Sequence, residues 1–287
     1  MVVEMGMNNS GEISLLTDIA RPTIGVITNI GTAHIGNLGS RENIMKAKLE
    51  ITEGLSGPLI INQDNDIISA NIDYIKSLND IITIGIDSDS DYKASCISSD
   101  MTKFKINGND IECKIGNRAF IYNSLVSYAI GILCGNNIRK GILNFELTGN
   151  RLEKKLIKND ILIIDDTYNA SLDSIKSSLE ILRNEKGDRK IAVIGDVLEL
   201  GSYTREIHRS IGKELLNSNL DYIVLVGDNT KYTLDYLEEN NYSNVKHFDK
   251  ESDTYTFLDN LLNSNDTVLV KGSNGMKLKN IVNYLTK

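Results

Sequence analysis

The second half of the chain alternates short β-branched runs with amphipathic segments, and this alternation constrains the fold more than any other feature. The predicted strands are 161–164, 191–194, 222–226, 245–248 and 267–270, and the predicted helices are 171–184, 204–217, 231–239, 252–262 and 276–285. Strands that alternate with helices form a parallel sheet with right-handed crossovers. We therefore expect a complete doubly wound, Rossmann-like α/β domain here.

The first half has the same rhythm in a shorter form. Apolar runs predict strands at 23–30, 59–62 and 81–86, helical periods predict helices at 42–55, 66–78, 122–133 and 139–145, and alternation over 93–115 predicts an antiparallel meander. This pattern indicates a second α/β unit with a parallel sheet and a small meander. The change of rhythm near Gly149-Asn150 predicts a central domain over 1–149 and a C-terminal domain over 150–287.

Composition narrows the functional classes. The 287 residues have a net charge of −8, which disfavours nucleic acid as a partner. Three scattered cysteines, Cys96, Cys113 and Cys134, form no CxxC pair and no disulfide framework. No apolar run approaches the ~18 residues of a membrane span, and the first residues do not resemble a secretory signal. The expected location is the cytoplasm.

Polar residues cluster where the predicted strands end, which is where α/β sheets bind ligands. His34 follows the first strand, Glu4 lies near the N-terminus, and Lys48 lies beside Glu50 on a predicted helix. Taken singly, His34 is better explained as a surface or core histidine, Glu4 as a solvated carboxylate, and Lys48 as one partner of a surface ion pair.

A second cluster carries a stronger signal. Four apolar strand residues run directly into Asp165 and Asp166, and adjacent carboxylates repel each other. A helix cap explains one carboxylate but not both. A bound cation, an arginine or a ribose hydroxyl would relieve the repulsion, so we favour a functional role.

Two glycine-containing segments follow later strands. The segment 195–201 is explained equally well by a tight turn in which Asp196 acts as a cap. The segment 271–275 has the glycine-rich composition of an anion-binding site at a helix N-terminus. Composition alone is weak evidence for such a site.

Six segments together resemble one family. They are EMGMNNSGEI (4–13), RPTIGVITNIGTAHIGNLGS (21–40), KAKLEI (46–51), DDTYNAS (165–171), GDVLELG (195–201) and KGSNGM (271–276). In this order they resemble the Mur ligases, and DDTYNAS and GDVLELG are most similar to the D-alanyl-D-alanine-adding, MurF-type members. The resemblance covers nearly the whole chain.

The resemblance implies an ATP-dependent ligase of peptidoglycan synthesis. In that family, ATP and Mg²⁺ activate the terminal carboxylate of UDP-N-acetylmuramoyl-tripeptide as an acyl phosphate, which the amine of D-Ala-D-Ala then attacks. By position, Glu4 and His34 would coordinate Mg²⁺. Lys48 would be the lysine that is carbamylated, which converts a cation into a carboxylate-like ligand for a second Mg²⁺.

The remaining roles are also implied by the resemblance. Asn123 would contact the adenine, Arg151 would reach ATP from between the domains, and Asp166 would line the nucleotide side. The residues that would face the acceptor dipeptide are Tyr168, Asn169 and Ser273.

The sequence departs from the family at one decisive motif. No G-x-x-x-x-G-K-[ST] occurs in the 287 residues, although this loop supplies most of the phosphate cradle. Asn150 stands where the family has glycine, and Arg118-Ala119-Phe120 stands where a histidine is usual. We therefore expect weak or no ATP binding by this chain alone, and interpret it as a truncated central domain whose N-terminal half is missing or supplied separately.

Two alternatives stay open. The chain could be a non-catalytic binding or scaffold protein that keeps the acceptor domain. It could also be another amide ligase of the superfamily, such as a folylpolyglutamate or cyanophycin synthetase, although DDTYNAS and GDVLELG argue against this.

Overall fold

The computed structural model describes residues 1–146 and 151–287, which form two compact units, Met1–Phe145 and Glu146–Lys287. The predicted domain boundary at Gly149-Asn150 lies outside the described residues.

Unit 1 (Met1–Phe145) contains one six-stranded sheet. Its strands are β1 (Gly25–Ile27), β2 (Leu59–Asn62), β3 (Ile81–Gly85), β4 (Tyr92–Ser95), β5 (Lys103–Ile106) and β6 (Asn109–Glu112). They lie side by side in chain order, with β1 to β4 parallel and β5 and β6 antiparallel. The predicted parallel sheet and antiparallel meander are both confirmed, and β4 joins them into one sheet.

The helices of unit 1 are α1 (Glu12–Ala20), α2 (Ile35–Leu38), α3 (Arg41–Leu49), α4 (Asp66–Ala70), α5 (Ile72–Leu78), α6 (Arg118–Leu133) and α7 (Arg139–Leu143). The predictions missed α1 and α2. The predicted helix 42–55 was too long, because the chain tightens into a 3₁₀ turn at Glu50–Gly54. The start of α3 follows from Ser40, whose hydroxyl accepts a hydrogen bond from the Asn43 amide.

Unit 2 (Glu146–Lys287) contains the second six-stranded sheet. Its strands are β7 (Glu153–Leu156), β8 (Leu162–Asp166), β9 (Lys190–Gly195), β10 (Tyr222–Val226), β11 (Val245–Phe248) and β12 (Thr267–Lys271). The spatial order is β11-β10-β9-β12-β8-β7, parallel except for β7. The Rossmann-like prediction is confirmed for the five parallel strands. The antiparallel edge strand β7 was missed because its Glu-Lys-Lys-Leu sequence has no apolar run.

The helices of unit 2 are α8 (Leu172–Asn184), α9 (Thr204–Leu216), α10 (Lys231–Glu239), α11 (Tyr255–Leu261) and α12 (Lys279–Leu285). Helix α9 packs against both α8 and α10, whereas α12 packs against α11. The chain moves in one direction across the sheet from β8 to β11 and then returns to β12. Since crossovers are right-handed, α11 lies on the opposite face from α8, α9 and α10.

The strands β9, β10 and β12 of unit 2 are buried along nearly their whole length. Fully buried side chains on the sheet face that packs against α11 and α12 form one core cluster of this unit, including Ile163, Val193, Val224 and Val268. Within the two described ranges, no helix combines the length and apolarity that a membrane crossing requires.

Candidate functional site

The carboxyl edge of the unit 2 sheet contains a topological switch point at β12. The helix after β12 packs with α11, while the helices after the neighbouring strands β8 and β9 pack on the other face. Where the loops after two adjacent strands run to opposite faces of the sheet, a crevice opens at the carboxyl ends of those strands. Proteins with α/β sheets bind ligands in this crevice. The switch point therefore predicts such a crevice beside Gly272 and Ser273, which directly follow β12.

A buried ion pair joins β12 to the loop after β8. Lys271 is 2% exposed, and its Nζ lies 2.6 Å from Asp166 Oδ2 and 3.0 Å from the carbonyl oxygen of Asn169. Burial lowers the pKa of Lys271, and the charge of Asp166 opposes that shift. The hydroxyl of Ser178 donates to the same carboxylate oxygen at 2.6 Å. The loop that carries Tyr168 and Asn169 is therefore fixed by a charge-assisted contact.

The neighbouring carboxylate has its own lysine. Asp165 is fully buried, accepts hydrogen bonds from Thr167, and pairs with Lys279 of α12. A second amine, Lys155 Nζ, lies 3.8 Å from it.

Two lysines of the chain thus relieve the repulsion between the adjacent carboxylates, and the bound cation, arginine or ribose hydroxyl suggested by the sequence stays a prediction. A signal existed for one of these lysines. Once β8 and β12 are placed as neighbours, Lys271 falls in register with Asp166.

On its other side, β12 is tied to the loop after β9. The Ser273 amide donates to the carbonyl oxygen of Asp196 at 3.0 Å, and the Leu198 amide donates to Ser273 Oγ at 3.0 Å. The anion-binding site suggested for 271–275 stays a prediction. The Ser273 amide already has this partner, and the segment leads into a 3₁₀ turn at Asn274–Met276, with α12 beginning at Lys279.

The Asp196 carboxylate acts as the cap that the sequence suggested, but across the sheet. Its Oδ1 accepts from the amides of Asn229 and Thr230, in the turn that precedes α10, at 3.0 and 2.9 Å. Gly227 in that turn has φ +115°, and a Cβ there would lie 2.6 Å from the Asp196 carboxyl carbon. Glycine at this position is what allows the carboxylate to approach the turn.

The predicted acceptor residues Tyr168 and Asn169 are exposed, whereas Ser273 is buried. The Arg151 guanidinium lies 4.5 Å from the centre of the Tyr168 ring, at cation–π distance. The structure thus places Arg151, Tyr168 and Asn169 near one another within unit 2. Asp166 is held by Lys271, a contact that the sequence did not predict.

In unit 1, three side chains from other elements hold the loop after β1. Lys48 Nζ donates to the Asn29 carbonyl oxygen at 2.8 Å, and Arg41 donates to the Ile30 carbonyl oxygen at 2.7 Å. Asn65 Nδ2 donates to Asn29 Oδ1 at 2.7 Å. The loop that carries His34 is therefore anchored through its backbone carbonyl groups.

His34 lies at the start of α2 with φ 60°, a left-handed conformation, whereas Glu4 is exposed in the irregular N-terminal segment. Glu12 is one acidic residue on which His34 acts electrostatically. Its pKa is lowered mainly by the Asn8 amide and to a smaller extent by His34. Residues 1–146 and 151–287 contain no group of three or more His, Cys, Asp or Glu side chains that could hold a metal ion. The metal roles of Glu4, His34 and Lys48 stay predictions.

Asn123 is exposed on α6, beside a polar network at the carboxyl edge of the unit 1 sheet. The Tyr122 hydroxyl donates to Asp64 Oδ2 at 2.8 Å, and Asp64 also accepts from the amides of 86, 87 and 88. Arg118 pairs with Asp87 and donates to the Tyr122 hydroxyl. This network connects the loops after β2 and β3 to the helix that carries Asn123.

Comparison with known families identifies both units. Residues 1–131 match the model of the Mur ligase middle domain, and residues 150–274 match that of the Mur ligase, glutamate ligase domain. The chain belongs to the Mur ligase family. The UDP-N-acetylmuramoyl-tripeptide–D-alanyl-D-alanine ligase of Bacillus subtilis is 33% identical over 99% of this Mur ligase chain.

Solved structures agree with this assignment. MurF from Acinetobacter baumannii superimposes with a TM-score of 0.89 at 28% identity, and MurF from Thermotoga maritima in complex with ADP does so with a TM-score of 0.84 at 22% identity. Each alignment covers 99% of this chain. The chain spans 64% of the length of the Bacillus relative and of the Acinetobacter structure, and 66% of the Thermotoga structure.

Proposed function

We propose that this chain provides the acceptor-binding and part of the nucleotide-binding machinery of an ATP-dependent ligase that adds D-Ala-D-Ala to UDP-N-acetylmuramoyl-tripeptide in peptidoglycan synthesis. ATP phosphorylates the tripeptide carboxylate, and the dipeptide amine attacks the resulting acyl phosphate with loss of phosphate. The D-alanyl-D-alanine ligase of Bacillus subtilis, 33% identical over nearly the whole chain, supports the choice of reaction.

The observation that carries the proposal is the double attachment of the segment after β12. Lys271 holds the loop that carries Tyr168 and Asn169, and Ser273 holds the loop after β9. Both attachments are made by residues of unit 2 alone, at the switch point where α/β sheets bind ligands. A site whose loops are fixed before binding loses little conformational entropy when a small acceptor arrives. Unit 2 is therefore assigned the dipeptide.

Unit 1 is assigned the metal and phosphate side. Glu4 and His34 offer oxygen and nitrogen ligands, but the Lys48 ammonium would repel Mg²⁺, so Lys48 fits the site only as a carbamate. Bound Mg²⁺ would neutralise charge on the transferring phosphoryl group. On the nucleotide side, Asn123 would contact the adenine, and Arg151 and Asp166 would lie toward ATP.

Phosphate binding is the step for which this sequence has no loop. The 287 residues contain no G-x-x-x-x-G-K-[ST] motif, so they lack the loop amides and the lysine with which a P-loop would hold the phosphates. We therefore expect residues 1–287 alone to bind Mg-ATP weakly or not at all, and turnover to require a phosphate-binding loop from outside these residues.

The acceptor assignment is tested by titrating the ¹⁵N-labelled chain with D-Ala-D-Ala, with L-Ala-L-Ala as the control. We expect amide shifts confined to 168–171, 196–199 and 272–275 and produced by the D,D-dipeptide. No shift, or equal shifts with both dipeptides, would refute the assignment. Calorimetric titration with Mg-ATP tests the phosphate side, where micromolar affinity would contradict it.

The second candidate is a binding or scaffold protein without turnover. The observation that favours it is that the acceptor edge is complete within unit 2, while the phosphate loop is absent from the sequence. A polypeptide that carries the corresponding upstream region of a MurF-type ligase is mixed with this chain, UDP-tripeptide, Mg-ATP and D-Ala-D-Ala. Product formation supports the ligase, and dipeptide binding without product supports the scaffold. Replacing UDP-tripeptide with a folate and the dipeptide with glutamate tests the third candidate, a folylpolyglutamate-type ligase.

A further inference from the structure

His208 is a buried histidine to which neither the sequence motifs nor the proposed reaction gives a role. It lies on α9, is 0% exposed, and its ring packs beneath the loop after β9. The Val197 amide donates to its Nε2 at 3.3 Å. A buried polar ring of this kind is retained when its hydrogen bonds are satisfied.

The contacts of His208 on its other side fix which ring nitrogen carries the proton. The Thr233 hydroxyl donates to the His208 carbonyl oxygen at 2.8 Å, so the hydroxyl oxygen is left to accept from Nδ1, 3.4 Å away. Nδ1 is then the donor and Nε2 the acceptor, which requires a neutral ring. Burial lowers the pKa of His208, against the opposing charge of Asp196, and so favours the neutral form.

The loop above the ring has a conformation that needs external support. Glu199 has φ 63° and Gly201 has φ 54°, both in the left-handed region, which is unfavourable for a glutamate. Two consecutive amides of the loop are held by side chains from other elements. Val197 donates to His208 and Leu198 donates to Ser273 Oγ. His208 therefore fixes the loop from below, and Ser273 fixes it from the crevice side.

We propose that His208 is a positioning residue of the acceptor site, which as the neutral Nδ1–H tautomer holds the Val197 amide and thereby sets where Leu198 and Ser273 stand in the crevice. The role rests on the proposed acceptor function of unit 2. His208 does not touch the acceptor, since it is fully buried beneath the loop. The exposed Leu198 side chain, which packs close to Gly275, is the apolar surface that the loop presents.

The first measurement is the ¹⁵N spectrum of the His208 ring in the full chain. We expect the Nδ1–H tautomer at neutral pH and no protonation until the pH falls well below the ordinary histidine value. The competing arrangement has Nε2–H donating to the Val197 carbonyl oxygen, 3.4 Å away. Finding that tautomer would overturn the proposal.

The second measurement compares three variants of the full chain. His208→Leu removes the acceptor for the Val197 amide, His208→Gln keeps an acceptor near the position of Nε2, and Ile211→Val removes a methyl group from the same helix at a site that is also 0% exposed. We expect His208→Leu to shift the Leu198 and Ser273 amide resonances and to weaken D-Ala-D-Ala binding about tenfold. His208→Gln should recover most of that affinity, and Ile211→Val should leave it unchanged.

A purely structural role gives a different pattern. It is indicated if Ile211→Val weakens binding as much as His208→Leu, or if His208→Leu leaves the Leu198 and Ser273 amides in place, and either result overturns the proposal. If the unaltered chain binds no dipeptide, the proposed acceptor function of unit 2 is refuted. The amide shifts would still decide whether His208 positions the loop.

Discussion

The carboxyl edges of the two sheets are held together by different chemistry. In unit 2, buried lysine–carboxylate contacts and Ser273 connect the ends of β8, β9 and β12. In unit 1, the half-buried Lys48 and Arg41 hold the loop after β1 by donating to its carbonyl groups, beside the buried Asn65. A buried pair is strongly coupled to folding, whereas a solvated donor is replaced at low cost by water or a ligand. The unit 2 edge is thus preformed, and the unit 1 edge can exchange partners.

The largest expected effect is on the buried pair. Lys271→Met leaves the Asp166 carboxylate without its counter-charge, which destabilises unit 2 by about 3–5 kcal/mol. Asp166→Asn combined with Lys271→Met removes both charges, so the double variant should be more stable than Lys271→Met alone. Hydrogen exchange of the unit 2 strand amides in the full chain measures both. A loss no larger than that of Lys48→Met would abolish the contrast between the two edges.

The next effect probes the most strongly bonded carboxylate of unit 1. Asp64→Ala removes the acceptor for three backbone amides and the Tyr122 hydroxyl, and should cost about 1–3 kcal/mol, measured by hydrogen exchange of the β2 and β3 amides. Asp87→Ala is the matched control. This exposed partner of Arg118 should contribute about 0–1 kcal/mol. Equal losses would show that the Asp64 network is also replaceable by solvent.

The same carboxylate predicts a pH dependence. Partial burial opposes ionisation of Asp64, but hydrogen bonds from Ser88 and from the amides of 86 to 88 outweigh it and hold the pKa well below its ordinary value of 3.8. A carboxyl whose pKa is lower in the folded state stabilises the fold above its unfolded pKa, and this contribution is lost as the pH falls below that value. The unit 1 amides should therefore lose protection between about pH 4 and pH 2, and less so in Asp64→Ala.

The sequence predicted the parallel strands well, because β-branched runs such as β10 and β12 are buried on both faces. It missed β7 and α1, because these elements form through contacts with residues that are distant in the sequence. The strand β7 pairs with β8, and α1 has its Gly11 and Ser14 amides held by Glu50. Contacts of this kind leave no periodic apolar pattern in the local sequence.

The site was predicted in part for the same reason. Residues at strand ends can be identified from sequence, and this correctly placed Asp166, Tyr168 and Ser273 at the carboxyl edge of the unit 2 sheet. Their partners could not be, because Lys271 reaches Asp166 across 105 residues of sequence. The sequence order of β8, β9 and β12 differs from their spatial order, so the neighbour of each loop emerges only when the sheet is assembled.

A smaller effect tests whether the unit 1 edge exchanges partners. Lys48→Met removes the donor to the Asn29 carbonyl group, a half-buried contact worth about 1 kcal/mol. Carbamylation would convert the ammonium into a neutral N–H beside a carboxylate, so the charge-assisted contact with Asn29 and a Mg²⁺-binding carbamate are alternative states of Lys48. Bicarbonate with Mg²⁺ should raise the melting temperature of the unaltered chain but not of Lys48→Met. An equal rise in both proteins would refute the predicted metal role of Lys48.

The smallest effect concerns the exposed rim of unit 2. The Arg151 guanidinium lies 4.5 Å from the centre of the exposed Tyr168 ring, and a double-mutant cycle with Arg151→Gln and Tyr168→Leu should give a coupling of about 0.5–1 kcal/mol. This energy is small beside that of the Lys271 pair, because both partners are exposed to water. Arg151 can therefore leave the ring to reach a nucleotide at little cost, as its predicted role requires. A coupling above about 2 kcal/mol would instead make Arg151 a fixed part of the unit 2 edge, and the predicted contact with ATP would then have to be abandoned.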